Sequence, residues 1–119
     1  MIESRRIFGE IAKQDDGLQK WASAEKYYIK ESRAVRAILN DLELVSIGIQ
    51  LGIVDDELYR KWYESGTIRI WEISRPYVTA LRKRTENNAL FFEAEALADW
   101  FSDKAKKLPK RNFWHRKIR

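Results

Sequence analysis

Ala34-Val-Arg-Ala-Ile-Leu-Asn-Asp-Leu-Glu-Leu-Val-Ser-Ile-Gly-Ile-Gln-Leu51 is the stretch that decides the fold. Ala34, Ile38, Leu42, Val45 and Ile49 recur at spacings of four, four, three and four, the apolar stripe of a helix with 3.6 residues per turn. Val35 and Leu39 widen that stripe. Leu44, Ile47 and Leu51 add a third row, so the second half of this helix reads as apolar nearly all round and is expected to be the central, most buried helix.

Reading outward from it, Gly52 is placed to end the helix in a left-handed turn, and Asp55 to cap the next one, with Asp56 and Glu57 in its first turn where the helix dipole favours acids. Val54 is positioned to staple onto Tyr59. The helix opened by Asp55 carries Leu58, Tyr59, Trp62 and Tyr63 and is expected to stop at Ser65-Gly66, with Thr67 capping another. In that next helix Ile68, Trp71, Val78 and Leu81 share a face, and Pro76, which cannot donate a backbone hydrogen bond, is expected to kink it. Leu90, Ala94, Leu97, Phe101, Ala105 and Leu108 mark a last helix ended by Pro109. At the other end, Gly9 and Asp15-Asp16-Gly17 interrupt a weaker helical pattern of Ile7, Phe8, Ile11, Leu18, Trp21 and Ala22. These segments predict an all-α fold, a single antiparallel bundle of four or five helices over residues 1–108. Residues 109–119 form a basic, aromatic-containing tail.

Composition agrees with that class. Five Gly and two Pro among 119 residues leave little turn chemistry for a β-sandwich or barrel, while five each of Trp, Tyr and Phe supply large core anchors. The chain lacks Cys, which removes disulfides, thiolate zinc sites and Cys nucleophiles. No apolar leader follows Met1, and the longest uncharged stretch, Leu44 to Val54, is too short to cross a bilayer, so the sequence predicts a cytoplasmic protein without a transmembrane segment.

The net charge of +5 is unevenly spread. Lys104 to Arg119 carries eight bases and no acid, so the remainder of the chain is mildly acidic. Within it Lys110, Arg111, Phe113, Trp114, Arg116, Lys117 and Arg119 interleave cations with aromatic rings, a pattern suited to single-stranded nucleic acid or an anionic membrane surface. The competing readings are a solvated end, or a tail whose Trp114 and Ile118 dock back on the bundle.

Residues able to carry catalysis are scarce. The sole His, His115, lies in the tail, and no glycine-rich phosphate loop is present, so the expectation is a protein that is not an enzyme and needs no cofactor or metal. Glu43 sits beside the apolar stripe and is read as structural, held by Arg75 or Arg82 or by backbone donors of a neighbouring helix, with Asn40 satisfying a nearby backbone group. Glu93, Glu95 and Asp99 read as the solvated side of the last helix. Trp62, Trp71 and Trp100 read as core anchors before they read as the lining of a ligand pocket.

Between Tyr28 and Arg84, the run Ile38-Leu39-Asn40-Asp41-Leu42-Glu43, then Ile47-Gly48-Ile49, Gly52-Ile53-Val54-Asp55, Trp62, Trp71, Pro76 and Leu81-Arg82 resembles an uncharacterised family of small bacterial helical domains, classed as a domain of unknown function. Many of its members carry an N-terminal transmembrane helix, which this sequence lacks ahead of the domain. The resemblance implies an all-helical domain and brings no reaction, ligand or catalytic residue with it. Taken together, these readings predict a small accessory module that binds a protein partner or itself. Nucleic-acid or anionic-membrane binding through the tail is the alternative.

Overall fold

A computed structural model describes residues 2–14 and 17–103. Among these residues the regular structure is entirely helical: α1 spans Ile2–Ile11, a 3-10 turn spans Gln19–Ala22, and α2 (Lys30–Gln50), α3 (Asp56–Thr85) and α4 (Phe92–Ser102) follow. No described helix is long and apolar enough to cross a membrane.

The stripe that decides the fold becomes the central helix. Ala34, Val35, Ile38, Leu39, Leu42 and Ile49 are buried along α2, which packs against α1, α3 and α4. The expected all-round burial of its second half does not occur. Leu44 is 69% exposed and Val45 half-buried, both on a flank of α2 that faces an open groove, and Ile47 and Leu51 are only partly covered.

The turn after α2 follows from local chemistry. Gly52 adopts φ +78°, a left-handed conformation that costs little without a Cβ. The Gly48 carbonyl accepts hydrogen bonds from the backbone N–H groups of Ile53 (2.9 Å) and Val54 (3.1 Å), which folds Val54 back over the glycine. A Cβ on Gly48 would lie only 2.8 Å from Val54 Cγ2, so the close approach requires glycine there. Asp55 then caps α3, its Oδ1 accepting from the Leu58 N–H at 3.0 Å.

From there α3 departs from the sequence reading. It neither stops at Ser65-Gly66 nor restarts at Thr67, but runs for 30 residues through Gly66 and Pro76. Thr67 is buried in mid-helix and Pro76 lies on the exposed side. Trp71, Ser74, Tyr77, Val78 and Leu81 form the buried stripe. Trp62, expected as a core anchor, is 70% exposed. It precedes Trp71 by nine residues, two and a half turns, and so lies on the opposite side of one continuous helix.

Glu86 closes α3 in a left-handed conformation. In α4, Ala94, Leu97, Ala98, Trp100 and Phe101 are buried against α2 and α3. At the N-terminal end Ile7, Phe8 and Ile11 bury one face of α1, and Leu18 and Ala22 carry the 3-10 turn into the same core. Gly9, expected to interrupt a helix, lies inside α1. The predicted continuation of the last helix from Lys104 to Leu108 lies outside the described residues, as does Pro109.

Candidate binding groove

Two helices reach toward one open space. α1 packs on α2 and makes no comparable contact with α3, which leaves a groove floored by α2 and walled by α1 and the first half of α3. The groove has a volume of about 680 Å³ and is lined mainly by apolar groups, among them Phe8, Ile38, Val45, Tyr63 and Ile70. That volume is within the range of sites that enclose a large side chain or small ligand. Gly66 also lines it, and nothing stands within 4 Å of where its Cβ would be.

The polar groups in the groove are few. Arg5 and Asp41 line it, and neither makes a salt bridge or side-chain hydrogen bond with another described residue. Burial pushes the Tyr59 phenol above its ordinary pKa, while the charges of Asp41 and Arg5 act on it in opposite directions. Large apolar side chains are exposed on α2 and on the first half of α3. Leu44 and Tyr63 are exposed within the groove lining, and Leu58 and Trp62, one turn apart on the same half of α3, are exposed outside that lining.

A second polar feature joins α2 to α4. Phe91, the residue preceding α4, has φ 58° and no side-chain oxygen with which to cap the helix. The missing acceptor comes from Glu43, whose Oε2 accepts from the Ala94 N–H at 2.5 Å. This is the N–H that a capping Ser or Asp within the helix's own sequence would satisfy. Desolvation, opposed by that backbone hydrogen bond and reinforced by the Glu93 charge, holds the Glu43 pKa above its ordinary value. Arg82 donates instead to the Leu90 carbonyl (2.9 Å) and to Glu95 (3.0 Å), and acts on Glu43 only through its charge. Arg75 is exposed, and Asn40 is exposed with no side-chain hydrogen bond among the described residues. Four residues considered together in the sequence therefore do not form one cluster.

Glu93 and Glu95 are less solvated than their positions suggested. Glu93 accepts hydrogen bonds from Gln50 and Ser46 on α2, and Glu95 is the partner of Arg82. Asp99 is exposed. Trp71 and Trp100 are buried, with the Arg60 guanidinium 4.4 Å from the Trp100 ring centre. Ser46 is fully buried, so its hydroxyl serves this internal network. Lys110, Arg111, Phe113, Trp114, Arg116, Lys117 and Arg119 all lie outside the described residues.

The sequence reading missed the groove altogether, though one signal was available. Leu58 and Trp62 are a turn apart, and continuing α3 without a break places both away from the Trp71 stripe. A family model described as a domain of unknown function (DUF4760) matches residues 1–101. No curated protein and no solved structure matches the chain.

Proposed function

The chain belongs to the DUF4760 family, and from that premise we propose that it is a small interaction module that acts by binding, pairing with a second copy of itself through the groove. The observation that carries this reading is the exposed Trp62, next in sequence to the groove-lining Tyr63, on a face that also holds an apolar groove large enough to receive an indole. Protrusion and recess share the first half of α3. A two-fold axis through that face sets the Trp62 of each copy into the groove of the other, the self-complementarity that an isologous dimer requires. Arg5 and Asp41 support the same arrangement, because opposite charges on one patch meet across a two-fold axis.

Sedimentation of the full chain over a range of concentrations tests the proposal. The expected result is a reversible dimer that Trp62→Ala weakens by about 30-fold, the scale of a buried aromatic at an interface centre. Gly66→Leu separates pairing from folding. It fills open space in the groove, and by replacing glycine inside α3 it raises helix stability by about 0.8 kcal/mol. This variant is expected to be folded, at least as stable as the parent, and monomeric. A full chain that remains monomeric at the highest concentration, or a dimer indifferent to both substitutions, overturns the proposal.

A further inference from the structure

At the far end of α3 from the groove lies a cavity of about 600 Å³, walled by Tyr27 and Tyr28, the start of α2, the end of α3 and the turn before α4. Its polar lining consists of Arg36, Arg84, Thr85, Asn87 and the two tyrosines, and no carboxylate is among the described lining residues. Arg36 is held rigidly. One of its terminal nitrogens donates to the Tyr27 carbonyl (2.8 Å), to Ser32 Oγ (2.8 Å) and to the Tyr77 hydroxyl (3.0 Å). Ser32 and Tyr77 are fully buried and bonded to each other at 2.7 Å. The Arg84 Nε donates to the Ala22 carbonyl at 2.8 Å.

Both guanidinium groups also approach the same ring, with Cζ 3.7 Å (Arg36) and 5.5 Å (Arg84) from the Tyr27 centroid. Two cations are therefore held within about one Debye length of each other at physiological salt. Neither has an acidic partner among the described residues. The bonds that fix them use two of the five guanidinium N–H groups of Arg36 and one of those of Arg84, and the remainder are left for an acceptor.

We propose that this cavity binds a small organic phosphate monoester, the phosphate between Arg36 and Arg84 and the organic body against Tyr28, Leu90 and Phe91. A phosphate monoester carries close to two negative charges at neutral pH, matching the two guanidinium groups, and its oxygens suit their forked donors. The partly apolar wall favours a ligand with a body over the bare ion. The site is separate from the groove and does not depend on self-association.

Titration calorimetry of the full chain with phenyl phosphate, inorganic phosphate and benzoate tests the assignment. Phenyl phosphate is expected to bind saturably and more tightly than either, since benzoate carries one charge and inorganic phosphate has no body. Arg84→Gln is expected to weaken it by about tenfold, the loss of one charge-assisted contact. Asn87→Asp guards against a folding defect in that variant. It keeps the acceptor that Asn87 Oδ1 offers the Ala89 N–H at 3.0 Å, adds a negative charge to the cavity wall, and is expected to weaken binding as well. Co-sedimentation with phosphatidate-containing vesicles identifies the source. Pelleting that both substitutions abolish assigns the phosphate to a lipid headgroup, and no pelleting assigns it to a soluble ester. Absence of saturable phenyl phosphate binding at low salt, equal binding of all three probes, or binding indifferent to both substitutions overturns the proposal.

Discussion

Glu43→Ala removes the acceptor that α2 lends to the start of α4, and the cost can be worked from the surroundings. Loss of a helix N-cap typically costs about 1 kcal/mol, with a range of about 0.5 to 2. Here the deserted donor is the N–H of Ala94, a fully buried residue, so water replaces the lost acceptor poorly and the cost moves toward the penalty of about 1 to 3 kcal/mol for an unsatisfied buried group. A loss of about 2 kcal/mol is expected at neutral pH. Glu43→Gln retains a carbonyl acceptor and discards only the charge. Because the Glu43 pKa is raised in the folded protein, the native state holds its proton more tightly than the unfolded chain does. Its contribution to stability therefore falls as pH rises from the unfolded value through the raised folded value, and stays low above it. Glu43→Gln lacks this fall, so its stability relative to wild type should increase with pH across that window and then level off. Urea unfolding followed by Trp fluorescence, on the three proteins at several pH values, measures both effects. An alanine variant within about 0.5 kcal/mol of wild type, inside the scatter of ordinary surface substitutions, refutes the capping role. A glutamine variant with an unaltered pH profile refutes the electrostatic assignment.

At the α2–α3 turn, Gly48→Ala gains about 1 kcal/mol of helix propensity but drives a methyl into Val54 Cγ2, and overpacking of this kind costs about 1 to 3 kcal/mol. Net destabilisation is expected in the wild-type background and net stabilisation when Val54→Ala is also present, and a double-mutant cycle with no coupling contradicts the packing described. For the basic tail, fluorescence titration of the full chain with a single-stranded oligonucleotide at about 50 mM salt is expected to be flat, since the proposed partner is a second copy of the chain. Saturable binding whose logarithm falls with log salt at a slope of about −3 to −7, and which deletion of Lys110 to Arg119 abolishes, would establish the nucleic-acid reading instead.

Where periodicity and capping chemistry agreed, the sequence was sufficient. The α2 stripe, the left-handed Gly52 and the Asp55 cap are each encoded within a few residues, and each was legible for that reason. α3 was misread at Ser65-Gly66 because glycine weighs heavily as a helix breaker in a local reading. Gly66 faces open space, Pro76 lies on the exposed side, and the burial of Trp71, Tyr77 and Leu81 outweighs both. Splitting the helix severed the phase relation between Trp62 and Trp71, and with it the evidence that one of them points outward. The partner of Glu43 was illegible for a different reason. It is a backbone N–H 51 residues away, and nothing about Ala94 as a residue type announces an orphaned donor. The pairing of Arg36 with Tyr27 and Tyr77 was hidden in the same way, because tertiary geometry alone brings those three residues together.

The unbroken course of α3 also sets a ruler inside the molecule. Tyr63 on the groove and Arg84 on the cationic cavity are 21 residues apart on one helix, about 30 Å of axial rise. Neither cavity shares a lining residue with the other, so a molecule seated at one end leaves the other end vacant and accessible. In a two-fold dimer joined at the groove ends, each cationic cavity lies at the end of α3 remote from the joint. Two phosphate groups displayed on one surface could then be gripped together only at a separation set by helix length, and a lengthened or shortened α3, altered in both copies, would change that separation by up to about 3 Å for each residue added or removed.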